Sequence, residues 1–206
     1  MATTQAFRGF VPARKKDGAY NTGSFTQTFS PVSGGDCTQA TFTGDPVVLP
    51  GANVALITPI IAATLKPSGV FAGCSYVFNG EQKFSRYWPT GTSANGYSDV
   101  KFFLITDPNQ TYYIQCSTKL SAAELMLVRN YNVTVSSAGS SGNTTTGQSS
   151  YYLDADSGDE SQKQARVIGL KQDDGETEDS DSYPIVEVWL NMHRDRYITA
   201  TASTNL

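Results

Sequence analysis

Residues 70–78 (VFAGCSYVF), 84–88 (FSRYW), 100–106 (VKFFLIT) and 111–116 (TYYIQC) decide the fold class of this chain. Each is a short run of β-branched and aromatic side chains, which pack well on a pleated sheet. The first begins after Pro67-Ser68-Gly69 and stops at Asn79-Gly80, a dipeptide whose backbone accepts the positive φ of a type I′ hairpin turn. A second strand is expected to return through Phe84 to Trp88. After the Gly/Ser/Asn stretch 91–98, the run 100–106 meets Asp107-Pro108-Asn109 and 111–116 comes back. The centre of the chain therefore reads as a meander of hairpins.

With 206 residues the chain is long enough to bury a sizeable core, and all-β domains of this length commonly stay single. The formal net charge of -4 provides no global basic field to gather phosphates, which argues against nucleic acid as a partner. Hydrophobic residues make up 39% and charged residues only 17%. Ser, Thr, Asn and Gly must therefore supply the polar surface, a composition better suited to packed assemblies than to a typical cytosolic enzyme. The most apolar stretch, 54–65, is interrupted by Pro59 and too short to span a bilayer. No apolar run of signal-peptide type follows the basic N-terminal residues, so a soluble protein that stays where it is made is expected. Of the three cysteines, Cys37, Cys74 and Cys116, none is spaced as CxxC, and buried free thiols are the expectation.

Outward from the centre, residues 1–23 combine Gly, Pro and basic side chains with the isolated aromatics Phe7, Phe10 and Tyr20. They read as an arm. As a tail folding onto a neighbour, the arm would use Phe7 and Phe10 as anchors; the plainer alternative is a disordered terminus. Strands are expected at 24–29, 39–43, 46–49, 53–58, 132–136, 151–153, 165–170 and 183–190, with 60–65 open between a strand and a short turn of helix. Ser121-Ala-Ala-Glu124 has the form of a capping box, predicting one short helix from Ala122 to about Arg129. The glycines of 138–150 (AGSSGNTTTGQSS) lack the following Lys and the strand-to-helix context of a phosphate loop. The acidic blocks 154–160 (DADSGDE) and 173–181 (DDGETEDSD) read as solvated hairpin tips.

Catalytic chemistry has little to stand on. His193 is the one histidine, so a Ser/His or Cys/His nucleophile would depend on a residue at a strand end. A zinc site would have to draw Cys37, Cys74, Cys116 and His193 from four distant places. Most carboxylates sit in Gly/Ser-rich tips, where tuning a pKa by burial is hardest. No enzymatic activity, cofactor or metal is expected.

Met1-Ala-Thr-Thr-Gln-Ala-Phe-Arg-Gly-Phe10, the turn Phe42-Thr-Gly-Asp-Pro46, Gly69-Val-Phe-Ala-Gly-Cys74, the triplet Tyr87-Trp88-Pro89, Arg166-Val-Ile-Gly-Leu170 and Glu187-Val-Trp-Leu-Asn-Met-His193 resemble capsid decoration (cement) proteins of tailed bacteriophages, of the marine and cyanobacterial type. The likeness spans most of the chain, with the two acidic blocks and the Gly/Ser loop outside it. The resemblance implies a structural virion protein, made in the host cytoplasm and placed on the outer capsid surface. There it would bind the major capsid protein and bridge capsomers as a homo-oligomer, a dimer or trimer. Residues 1–23 are then the arm and 24–206 a single β domain. The fold expected is all-β, a compact antiparallel barrel or sandwich with one short helix. The capsid contact is expected at Phe7, Arg8, Phe10, Arg14, Lys15, Lys16 and Tyr20. The alternative is a fibre-base or host-surface carbohydrate-binding module, with Trp88, Tyr112, Tyr113, Tyr151 or Tyr152 as stacking faces.

Overall fold

The structure, a computed structural model, describes residues 6–15, 25–29, 40–47, 67–89, 96–121, 129–135, 142–159, 163–171 and 182–191. Its strands are β1 (Val11–Lys15), β2 (Phe25–Phe29), β3 (Thr41–Phe42), β4 (Pro46–Val47), β5 (Gly69–Phe78), β6 (Glu81–Ser85), β7 (Tyr87–Trp88) and β8 (Tyr97–Ile105). They continue as β9 (Gln110–Gln115), β10 (Asn130–Tyr131), β11 (Val133–Val135), β12 (Gly142–Asn143), β13 (Gln148–Ser149), β14 (Tyr151–Leu153), β15 (Ala165–Leu170) and β16 (Ile185–Leu190). Among the described residues, a 3₁₀ turn, Ala155–Ser157, interrupts this pattern. The helix expected from Ala122 lies outside the described residues, as do 53–58 and 60–65.

The Asn79-Gly80 signal folds as its chemistry requires. Both residues take positive φ, 52° and 83°, and Phe78 faces Glu81 across a two-residue loop, the geometry of a type I′ turn. β5 then pairs with β8 along its other edge, and β8 with β2. Two bulges adjust the β5–β8 ladder. One leaves Ala72 unmatched beside Gly73, whose φ is 130°, and the other falls on the β8 side at Asp99, whose φ is 48°. Each adds an unmatched residue and bends the strand that carries it. β4 extends this sheet beside the start of β5.

The second sheet runs β1-β9-β16-β15-β10, with every pairing antiparallel. Here the expected meander needs correcting. β9 does not return beside β8; it enters the other sheet, because β2 and β5 already occupy both edges of β8. Asp107–Asn109 is thus a link between sheets. Its Asp107 Oδ1 accepts the Asn109 N–H at 2.8 Å, and the Asp107 carbonyl accepts the Gln110 N–H at 3.1 Å. Neither sheet closes on itself among the described residues, so the all-β fold fits a sandwich and not a barrel.

Two apolar clusters form. Phe10, Tyr112, Ile114, Tyr131, Val167 and Val188 lie in the first, built mainly on the β9-containing sheet and joined by Val70 and Ile105 from the other. Phe71, Cys74, Tyr76, Trp88, Phe102 and Leu104 make the second. In it, Trp88 meets Tyr76, Tyr97 and Phe102 edge-on with ring centroids 5.2–5.4 Å apart, the arrangement that ring quadrupoles favour. No helix among the described residues is long and apolar enough to cross a membrane.

Candidate functional site

The N-terminal residues were expected to leave the β domain as an arm, and the described part of them does the opposite. The Ala6 N–H reaches Gln115 Oε1 at 2.8 Å, and the Phe7 ring stacks on Tyr152 at 4.4 Å. The Gly9 N–H reaches the Tyr151 carbonyl at 3.1 Å, and the Phe10 N–H the Gly44 carbonyl at 2.9 Å. Gly9 has to be glycine: its φ is 67°, and a Cβ there would meet Ser149 at 2.5 Å and the Gly44 oxygen at 2.6 Å. Residues 11–15 then run antiparallel to β9 as the outermost strand of this sheet among the described residues. Residues 6–15 therefore pack into the body of the protein, while residues 16–23 of the expected arm lie outside the described residues.

The anchoring point of β1 is polar. Glu187 sits in the apolar run of β16 with only 5% of its surface exposed. Arg14 grips its carboxylate with two donors, Nε to Oε1 and Nη2 to Oε2, both at 3.1 Å. Such a fork-to-carboxylate pair is directional as well as attractive. Thr111 Oγ1 lies 2.6 Å from Glu187 Oε1 and 2.6 Å from the Arg14 carbonyl, so its one proton serves one of them at a time. Gln110 Nε2 donates to the same Arg14 carbonyl at 3.2 Å.

Of the seven residues expected to contact a partner, the structure describes five in whole or part. Phe10 is corrected: at 2% exposure, edge-on to Tyr112 at 5.6 Å, its ring belongs to the chain's own core. Phe7 is half-buried on Tyr152. Arg8 is exposed, and Arg14 keeps 60% of its side chain exposed despite its ion pair. Lys15 is described through its backbone, opposite Gln110; Lys16 and Tyr20 lie outside the described residues. Val11, at 44% exposure, and Arg14 are thus exposed on β1 itself, and Arg8 is exposed three residues before it.

The residues weighed for other chemistry are placed differently. Cys74 and Cys116 are free and buried; loss of solvent pushes the Cys74 thiol up to about 12 and the Cys116 thiol upward as well. Neither is a thiolate at neutral pH, so neither is a ready nucleophile. Trp88, Tyr112 and Tyr151 are buried, which removes three of the five stacking faces of a carbohydrate reader. Tyr152 is covered by Phe7, and Lys171 Nζ stands 5.8 Å from the Tyr113 ring centroid. Within the first acidic block, Asp159 pairs with Lys163 at 3.8 Å. No group of three or more His, Cys, Asp or Glu suited to a metal ion is found among the described residues. A cavity lined by Phe10, Pro46, Pro67, Val133, Gln164 and Leu190 has a volume of about 10 Å³, the lower limit for one water. His193 and the second acidic block lie outside the described residues.

Sequence reasoning missed two residues. Glu187 carried a signal, being a lone charge within IVEVWL, but its partners Arg14 and Thr111 are distant in sequence. Phe84 gave none: it sits in a strand-like run, yet it is 77% exposed. Comparison with protein-family models, curated proteins and solved structures finds no match to this chain.

Proposed function

We propose that this chain is a structural virion protein that decorates a phage capsid, binding the outer surface of the major capsid protein as a homo-oligomer and bridging capsomers without catalysis or cofactor. One observation carries the reading. The N-terminal strap is locked into the chain's own sheet, yet it leaves Arg8 exposed just before β1 and Val11 and Arg14 exposed on that strand. A rigid ridge of this kind meets a partner without the ordering cost that a free arm bears. Its basic character stands against a net charge of -4 for the whole chain, so the surface it fits is acidic with an apolar patch. The sequence resemblance to decoration proteins supports the same reading.

The test uses capsids depleted of this protein. Wild type and the doubly substituted Arg8→Glu, Val11→Ser variant are added, and bound copies are counted after sedimentation at low and high salt. Both positions are exposed, so the fold should survive, as checked by circular dichroism. Wild type should load to hundreds of copies per particle, the order expected of an icosahedral decoration, and lose part of its occupancy at high salt. The variant should bind about tenfold more weakly or worse. Equal loading of the two proteins at both salts would remove this surface from the contact.

A further inference from the structure

The strand β6 has one partner and a second edge that no other strand among the described residues covers. We infer that this edge pairs with the β6 edge of a second copy, antiparallel and centred on Gln82, to make a two-fold dimer. The contact needs no capsid: it specifies a homo-oligomer of the kind proposed above, and its test does not depend on capsid binding.

Three features specify it. The first is the direction of the backbone groups. The two-residue turn closes on Phe78 and Glu81 as a hydrogen-bonded pair. Alternation along the ladder then makes Lys83 and Ser85 bonded positions, while the N–H and C=O groups of Gln82 and Phe84 point away from β5. A dimer axis at Gln82 therefore brings two outward-facing backbones together as a hydrogen-bonded pair.

The second is charge. A register centred on Gln82 sets Glu81 opposite Lys83 of the second copy, and Lys83 opposite Glu81. In the single chain these residues already form an ion pair at 3.3 Å with both side chains well exposed, so dimerisation extends one pair into an alternating set of four charges. A lysine on an edge strand ordinarily discourages pairing. Here that lysine meets a carboxylate across the axis. A register centred on Lys83 would oppose two lysines. One centred on Phe84 would require Arg86, whose carbonyl already accepts the backbone N–H and hydroxyl of Thr43.

The third is Phe84. In the favoured register it faces Gly80 of the second copy. A Cβ built on Gly80 would meet nothing within 4 Å, so the space beside that glycine is open to the ring, and an aromatic lying over a cross-strand glycine is a stabilising arrangement. The contact covers a side chain that is otherwise 77% exposed. The interface is self-complementary and closes as a pair. Pairing five residues buries less than a standard interface, so the dimer is expected to be weak, in the micromolar range.

Sedimentation velocity over a range of concentrations tests the register through an exchange of charges. Wild type should shift from monomer to dimer as concentration rises. Glu81→Lys leaves two cations on the strand and Lys83→Glu leaves two carboxylates; each should weaken self-association about tenfold or more. Mixing the two variants should restore a heterodimer near the wild-type affinity, because each cation then faces a carboxylate. Rescue by mixing cannot arise from a change within one chain, so a folding defect in either variant is distinguished from a lost contact. A wild type that stays monomeric at every concentration, or single variants that dimerise as wild type does, overturns the inference, as does a mixture that fails to pair while both variants remain folded.

Discussion

Among the described residues β1 and β6 are both edge strands, and they are finished in opposite ways. β1 carries Pro12, which has no N–H to offer, and its register against β9 shifts between Pro12 and Lys15. Arg14 on the same strand is held by Glu187, Thr111 and Gln110. A proline and an irregular ladder are common devices for discouraging another strand from pairing. β6 has neither: its five pairs with β5 run without a shift. The contrast separates two kinds of recognition. β1 offers side chains on a rigid edge that resists strand addition, which suits contact with a different surface. β6 offers its backbone, which suits another strand, and its charges suit a copy of itself.

The sharpest way to break this comparison is to remove Phe10. If residues 6–15 were only a loosely attached arm, Phe10→Ala would leave the stability of the β domain unchanged. With the ring 2% exposed among Tyr112 and its neighbours, the substitution should instead cost about 3–5 kcal/mol, read as a shift in the denaturant midpoint. The thiols give a local readout. Cys116 shares the cluster that contains Phe10, whereas Cys74 lies in the other. Alkylation of the native variant, mapped by peptide mass, should accelerate at Cys116 and hold steady at Cys74.

Next comes the ion pair that pins β1. Arg14→Ala leaves the Glu187 carboxylate nearly buried with its guanidinium partner gone, the costly half of a broken pair. Because Arg14 is itself largely exposed, solvent discounts the loss, and about 1–2 kcal/mol is expected. Arg14→Lys should recover only part of it, since a point charge cannot make two parallel bonds. Full recovery by lysine would show that charge alone, and not the fork, holds this edge.

Much of this was legible in the chain, for reasons that also explain what was not. The Asn79-Gly80 turn was readable because it depends on two adjacent residues and their φ angles. The paired tyrosines divide as strand alternation requires, Tyr112 and Tyr151 buried and Tyr113 and Tyr152 half-buried. The path of β9 was not readable, because a turn sequence fixes local direction and cannot reveal that both edges of β8 are taken. The Gly/Ser loop likewise hides the hairpin of β12 and β13, which is set against Phe42 and bridged to Thr43. In the candidate site, Arg8 and Arg14 stood out as basic residues and are exposed. Phe10 misled, because a ring in a Gly/Pro-rich segment looks unpartnered until the fold supplies Tyr112.

Alkaline pH tests the two clusters behind the two edges. Cys74 stands opposite Ser85 on β6, and Cys116 directly follows β9. Both thiols are held protonated by burial, with Cys74 moved from 9.0 to about 12. The folded state thus binds their protons more tightly than the unfolded state does. Their contribution is fully present below pH 9 and declines as pH rises towards the folded value. Between pH 9 and 10 the loss should be about 1 kcal/mol per thiol. Cys74→Ala should flatten the curve by one such share, measured by denaturant titration at each pH; an unchanged slope would mean that Cys74 ionises normally in the folded protein.

The smallest expected effect on folding completes the contrast. Phe84 and Phe10 are the same residue type, one on β6 and one just before β1, but Phe84 has little surface left to expose on unfolding. Phe84→Ser should therefore alter stability by no more than about 0.5 kcal/mol, the range typical of surface positions. Self-association should respond differently, since only in the dimer does the ring lose contact with water. Serine removes that burial while leaving Glu81, Lys83 and the outward backbone groups in place, so the dimer should weaken without disappearing, by roughly tenfold for a ring partly covered. Denaturant titration of the monomer and sedimentation of the same sample separate the two quantities. A large loss of stability would mean that Phe84 already rests on its own chain, and β6 would then be a protected edge like β1.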